Sequence, residues 1–187
     1  MMHPPMQPVL SDDLVDLRPM VEADREPLFA VARDPEIWAI HPAHDRWQRG
    51  VFDAFFNEGL ASTGGLTIID KATGAVIGSS RYDIRVCQAD EVEIGWTYLA
   101  RSHWGGAYNR SIKRLMLGAA FDAGYHTVIF LVGETNLRSC RAMEKIGGVL
   151  TERRQVWEMA GVHVDHLIYA IKREGFASSP LQNDPKE

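Results

Sequence analysis

The chain is poor in cysteine: only Cys87 and Cys140 occur among 187 residues. A disulfide framework is therefore not expected. It lacks any apolar run of the roughly 18–20 residues that a membrane-spanning helix needs. It also lacks an excess of basic charge. Lys and Arg number 20 against 25 Asp and Glu, a net charge of −5. That balance gives no broad grip on nucleic acid or an anionic membrane, although a local basic patch can still hold a compact anion. Two nucleotide fingerprints are missing. There is no G-x-G-x-x-G after an early strand and no G-x-x-x-x-G-K-[ST], so NAD or a P-loop nucleotide is not the expected ligand. No internal repeat is visible, which excludes solenoids and propellers. Met1–Pro8 holds three prolines, no Lys or Arg and no apolar stretch. It does not read as a secretory signal, and a cytoplasmic location is expected.

What is present is ordinary for a globular domain: 45% apolar and 24% charged residues. One domain is expected over 13–176, with disordered tails at 1–12 and 177–187. Helix and strand patterns alternate, which predicts a mixed α/β (α+β) domain. A strand is expected at 14–18, helices at 22–33 and 46–60, and a hairpin over 66–82 around Lys71–Gly74. In the second helix Trp47, Val51, Phe55 and Leu60 share a face. The run Thr127–Val132 reads as a strand buried on both sides. A short helix follows at 137–146, then two last strands joined through Ala160-Gly161.

The segment from 91 to 121 carries the chemistry. Glu91–Leu99 alternates, so that Val92, Ile94, Trp96 and Tyr98 point one way and Glu91, Glu93, Gly95 and Thr97 the other. A turn with Gly105 and Gly106 follows. Then comes an amphipathic helix with Ile112, Leu115, Met116, Ala119 and Ala120 on one side. A glycine turn lets backbone approach a ligand, and the free amides at a helix start favour an anion such as phosphate or pyrophosphate. Arg110, Lys113 and Arg114 add positive charge there. A plain strand-to-helix connection with solvated basic residues fits the same spacing. Further on, Asn136 is placed to cap a helix that carries Ser139 on its first turn.

Three stretches together resemble the GCN5-related N-acetyltransferases (GNAT): LRPMVEADREPLFAVARDPEIW, EVEIGWTYLARSHWGGAYNRSIKRLMLGAAF and NLRSCRAMEKIGG. They are most similar to the RimJ/RimL-like branch, which acetylates N-terminal amines, including those of ribosomal proteins. The resemblance runs from Leu17 to about Arg173. It implies a mostly antiparallel mixed sheet of six to seven strands with about four helices, splayed where acetyl-CoA binds. It implies direct attack of an amine on the thioester in a ternary complex. The amides of Trp104, Gly105, Gly106, Ala107, Tyr108 and Asn109, with Arg110, would hold the pyrophosphate. A backbone N–H near Ile94 and Trp96 would support the oxyanion. Glu93, in an EIGY-like position, would be the general base, with Glu91 as the alternative. Ser139 would protonate the leaving thiolate, and Asn136 would touch the pantetheine arm or simply cap its helix. A homodimer through the last two strands is also implied.

The chain departs from the family pattern at four positions. The cofactor turn usually reads Arg/Gln-Gly-x-Gly-x-Gly/Ala, but here Trp104, Ala107 and Asn109 replace the usual residues. Met143 stands where many members carry a proton-donating tyrosine. A non-catalytic acyl-CoA-binding module on the same fold is therefore the alternative function. No metal is expected: His163 and Asp165 share a strand face while His166 points away. His41, His44 and Asp45 lie where the family builds its acceptor pocket. Among Trp38, Trp47, Phe52, Phe55 and Phe56, one or two are candidates to wall it.

Overall fold

The computed structural model describes residues 6–182. Its centre is one open sheet in the order β1-β2-β3-β4-β5-β6-β8-β7. The strands are β1 Leu10–Ser11, β2 Val15–Pro19, β3 Gly65–Asp70, β4 Val76–Asp83, β5 Glu91–Leu99, β6 Thr127–Gly133, β7 Val149–Met159 and β8 Val162–Lys172. Every neighbouring pair is antiparallel except β5 and β6. Among the described residues there are also five α-helices: α1 Arg25–Ala32, α2 Arg49–Ala61, α3 Ala107–Asp122, α4 Leu137–Lys145 and the short α5 Arg173–Phe176. The mixed α+β class stands, with eight strands against the six to seven expected.

The extra strand comes from the N-terminal segment. Leu10 and Ser11 pair with Leu17 and Asp16. Asp12 then reaches α3, accepting from Ser111 and from Arg114 at 3.1 Å. At the other end Leu181 is buried, and Arg110 donates to the Pro180 carbonyl. Residues 6–12 and 177–182 are thus folded against the domain rather than trailing from it. The ends of the two expected tails, 1–5 and 183–187, lie outside the described residues.

Two apolar cores flank the sheet. The larger joins Leu17, Ile68, Val92 and Ile94 of the strands to Ile112, Met116 and Leu117 of α3 and Met143 of α4. The smaller holds Leu28, Trp38, Phe52, Phe56 and Tyr98. Burying a side chain of this size contributes about 1.5–3 kcal/mol. In α2 the buried face is Phe52, Phe56 and Gly59, not the expected Trp47–Val51–Phe55–Leu60 stripe. Phe55 and Leu60 pack partly buried against the smaller core, and Gly59 lies in ordinary contact range of Met20. Trp47, ahead of the helix, stays 41% exposed.

Asp24 pins the start of α1. Its buried carboxylate accepts from Arg18 at 2.8 and 2.6 Å, from the Val21 amide at 2.9 Å and from Thr67 at 2.8 Å. Burial acts to raise its pKa, but these donors hold it below the ordinary value. Among the described residues, no helix is long and apolar enough to cross a membrane.

Candidate functional site

The site begins where two parallel strands part. β5 and β6 pair only at Glu91–Thr127, Val92–Val128 and Glu93–Ile129. Beyond these positions β5 has no ladder partner on that side. On its other side a bulge interrupts β4–β5. Ser79 pairs with Tyr98 but Arg81 pairs with Gly95, so Ser80 faces both Trp96 and Thr97. Trp96 takes a positive φ of 53°, which is rare for a bulky residue.

The bulge breaks the simple alternation. Val92, Ile94 and Leu99 lie in the α3 core, while Tyr98 joins the α1–α2 cluster. Thr97 accepts from Lys113 of α3. Trp96 turns instead to the face of Glu93, where the Arg81 guanidinium sits 4.1 Å from its ring centroid. Trp96 and Tyr98 therefore do not share Ile94's side. An extra residue in one strand reverses the facing of every residue after it.

The two expected carboxylates meet different fates. Glu91 accepts from Arg153 Nη1 with both oxygens at 2.9 Å, and from the Gln88 amide at 2.8 Å. It is committed to that ion pair. Glu93 is only 4% exposed and lies across from Asp83. Its Oε1 would stand 2.9 Å from a Cβ on Gly95. The carboxyl thus folds over the space that glycine leaves open. Burial first, and then Asp83, push its pKa up to about 8, against the pull of Arg85 and Arg81.

The turn before α3 is open. Gly105 has φ +80°, which favours glycine, and Gly106 sits at the N-cap with no side-chain hydrogen bond. A Cβ on either glycine would meet nothing within 4 Å. The first amides of α3, those of Ala107, Tyr108 and Asn109, have no partner within the helix. The start of α4 is different. Asn136 Oδ1 accepts from the Ser139 amide at 3.2 Å, the expected cap. Ser139 itself is half-buried one turn in, and Met143 is buried in the core. An uncapped helix start beside a glycine turn fits a phosphate-bearing ligand such as coenzyme A.

The basic residues of α3 divide. Arg110 and Arg114 are engaged with the chain ends, at Pro180 and Asp12. Lys113 turns inward and is 3% exposed. It donates to Thr97 Oγ1 at 2.8 Å, and Thr97 meets Ser80 Oγ at 2.7 Å. Burial pushes its pKa down to about 7. Tyr108 donates to Asp70 at 2.9 Å, away from the turn. Trp104 donates to the Leu99 carbonyl at 2.9 Å, and Arg138 stacks 4.0 Å above its ring.

On the opposite face a cleft is lined by Met20, Leu28, Phe52, Phe55, Phe56, Ser80, Arg81, Trp96 and Tyr98. The loop ahead of α2 runs beside it. Pro42 packs on Gly133, where a Cβ would lie 2.5 Å from Pro42 Cγ. Beyond it, Arg46 stands 4.4 Å from the Phe55 ring centroid. Burial, then Arg46, His166 and Arg138, push His41 down to about 3. Arg46 and Arg81 were not singled out from the sequence. The signal for Arg81 was a charged residue in an otherwise buried strand; for Arg46 there was none. Among the described residues, no group of three His, Cys, Asp or Glu is placed to hold a metal.

Comparison with known proteins agrees with this geometry. A family model described as an acetyltransferase (GNAT) domain matches residues 15–149. Solved structures superpose over most of the chain. A GCN5-related N-acetyltransferase from Brucella melitensis gives a TM-score of 0.81 at 20% identity, over 94% of this chain and 83% of that one. Mycobacterium smegmatis RimJ, in complex with CoA-disulfide, gives 0.72 at 18% identity, over 97% and 95%. Spermidine N-acetyltransferase from Vibrio cholerae, with CoA and spermine, gives 0.67 at 15% identity, over 88% and 99%. At these identities the likeness is one of fold. No curated protein matches by sequence.

Proposed function

Because the chain belongs to the GNAT acetyltransferase family, we propose that it moves the acetyl group of acetyl-CoA directly to a primary amine, on a protein N-terminus or a small molecule. Acetyl-CoA supplies the activated acetyl group as a thioester. The turn Trp104–Asn109 and the uncapped start of α3, with Arg110 beside it, hold its phosphates. Backbone amides of the bulged segment Ile94–Trp96 stabilise the oxygen that gains charge. Glu93 takes the proton of the amine. An alkyl ammonium has a pKa near 10, so a base titrating near 8 is well matched to it. Ser139 returns a proton to the departing sulfur, and Asn136 fixes the helix that carries Ser139. Beyond the site, the edge strand β7 exposes Val149, Leu150 and Val156, which supports pairing of two copies there.

The observation that carries this function is the buried Glu93 carboxyl at the point where β5 and β6 part. The test is release of free thiol from acetyl-CoA against a panel of amines and peptides. Release that depends on an acceptor is expected. Binding of acetyl-CoA with no acceptor-dependent release from any of them would favour an acyl-CoA-binding module instead.

A further inference from the structure

Arg81 is an unusual side chain to bury. It is 2% exposed, and neither Nη1 nor Nη2 has a hydrogen-bond partner. The nearest acid, Glu58, stands 3.4 Å away, but Glu58 also pairs with Arg85 at 3.0 Å. The remaining contacts of the Arg81 guanidinium are ring faces, Trp96 at 4.1 Å and Phe55 at 6.0 Å. Arg46 approaches the same Phe55 ring at 4.4 Å and has no ion pair among the described residues. Two guanidinium groups thus converge on one aromatic ring with too little acid between them. Unmet donors on a buried cation are costly. A guanidinium cannot escape by losing its proton at ordinary pH.

The missing partner is an anion that enters with the substrate. Arg81 pairs across the strands with Gly95, over which the Glu93 carboxyl is folded. An anion held by Arg81 therefore lies on the same face as the proposed base, whose carboxyl feels the Arg81 charge. A planar fork of donors matches a carboxylate. We propose, resting on the acetyl-transfer function above, that the acceptor is a compact amine that also carries a carboxylate, an amino acid, and that Arg81 with Arg46 binds that carboxylate. Phe55 and Trp96, half-buried rings of the same cleft, supply apolar surface for the rest of the molecule. Polycationic amines are disfavoured by the same two charges.

The test compares matched pairs in the acetyl-CoA assay: phenylalanine with phenethylamine, tryptophan with tryptamine, leucine with isopentylamine. Spermidine and a peptide beginning with Asp complete the set. At least one amino acid is expected to exceed its decarboxylated partner by about tenfold or more in kcat/KM. Arg81→Met should bring that ratio close to one, mainly by raising KM for the amino acid. Arg46→Met provides the same test should Arg81→Met fail to fold. Preference of the wild type for the decarboxylated amines or spermidine overturns the proposal. So does a ratio unmoved in both variants. Preference for the Asp peptide over every free amino acid overturns the compact acceptor. Should nothing be acetylated, calorimetric titration of the same amino acids into the CoA-loaded protein separates the two ideas. Binding that Arg81→Met abolishes upholds the carboxylate site and removes the acetyl transfer; no binding removes the carboxylate site.

Discussion

The two faces of β5 treat buried cations in opposite ways. On the α3 face, Lys113 is enclosed, yet it has a hydroxyl partner in Thr97 and a pKa pushed down to about 7 by burial. It can shed its charge near neutral pH. On the α1–α2 face the cations are Arg46 and Arg81, which keep theirs. Even with burial and Arg81 acting together, Arg46 falls only to about 10. The acids on that face do not suffice: Glu58 and Asp83 are both shared with Arg85, and burial holds Glu93 toward its neutral form. The difference teaches that a net charge of −5 says little about the surroundings of an acceptor. The acidic excess suits a cationic amine, but the cleft itself concentrates guanidinium groups.

The largest expected effect falls on the arginine face. Glu93→Gln keeps the shape of the side chain and removes the base. It should lower kcat/KM by about 10²–10⁴ and abolish a rising limb of the pH profile centred at about 8. An unchanged profile would remove Glu93 from the chemistry. Stability gives a second reading. The folded pKa lies above the unfolded one, so the stability held by neutral Glu93 is present below about 4.5 and lost as pH rises through about 8. The Gln variant should not show that loss.

The next effect belongs to the α3 face and has the opposite sign. Lys113 is depressed in the folded state, so the unfolded chain binds more protons between about 7 and 10.5. Stability should gain up to about 1.4 kcal/mol per pH unit from this residue as pH rises through that window. Urea titrations of wild type and Lys113→Met at several pH values isolate it. Parallel curves for the two proteins would show that the amine stays charged. The smallest effect compares the helix starts. Asn136→Ala removes the cap of α4 and should cost about 1 kcal/mol of stability. A substitution at the uncapped Gly106 of α3 has no such bond to lose, and its effect should appear in acetyl-CoA affinity instead.

Much of this architecture was legible in the chain. The alternating strands, the glycine turn ahead of α3 and the Asn136 cap are local features, decided by residues within a few positions of one another. The choice between Glu91 and Glu93 was not. Both sit on one face of one strand, and what separates them is Arg153, 62 residues away, which claims Glu91. The tail residues that became β1 were equally opaque, because two residues form a strand only when a partner such as Leu17 is there to pair with.

By itself, then, the sequence determined the order of elements, the fold class and the strand-turn-helix that suits a phosphate-bearing ligand. Periodicity, glycine conformation and capping act over short range. Only the tertiary structure decided where Trp96 points, which carboxylate is buried and that Arg46 and Arg81 share a ring. A bulge exists only between two paired strands, desolvation only inside a packed core, and charges from β4 and the loop before α2 meet only when the chain has closed around them.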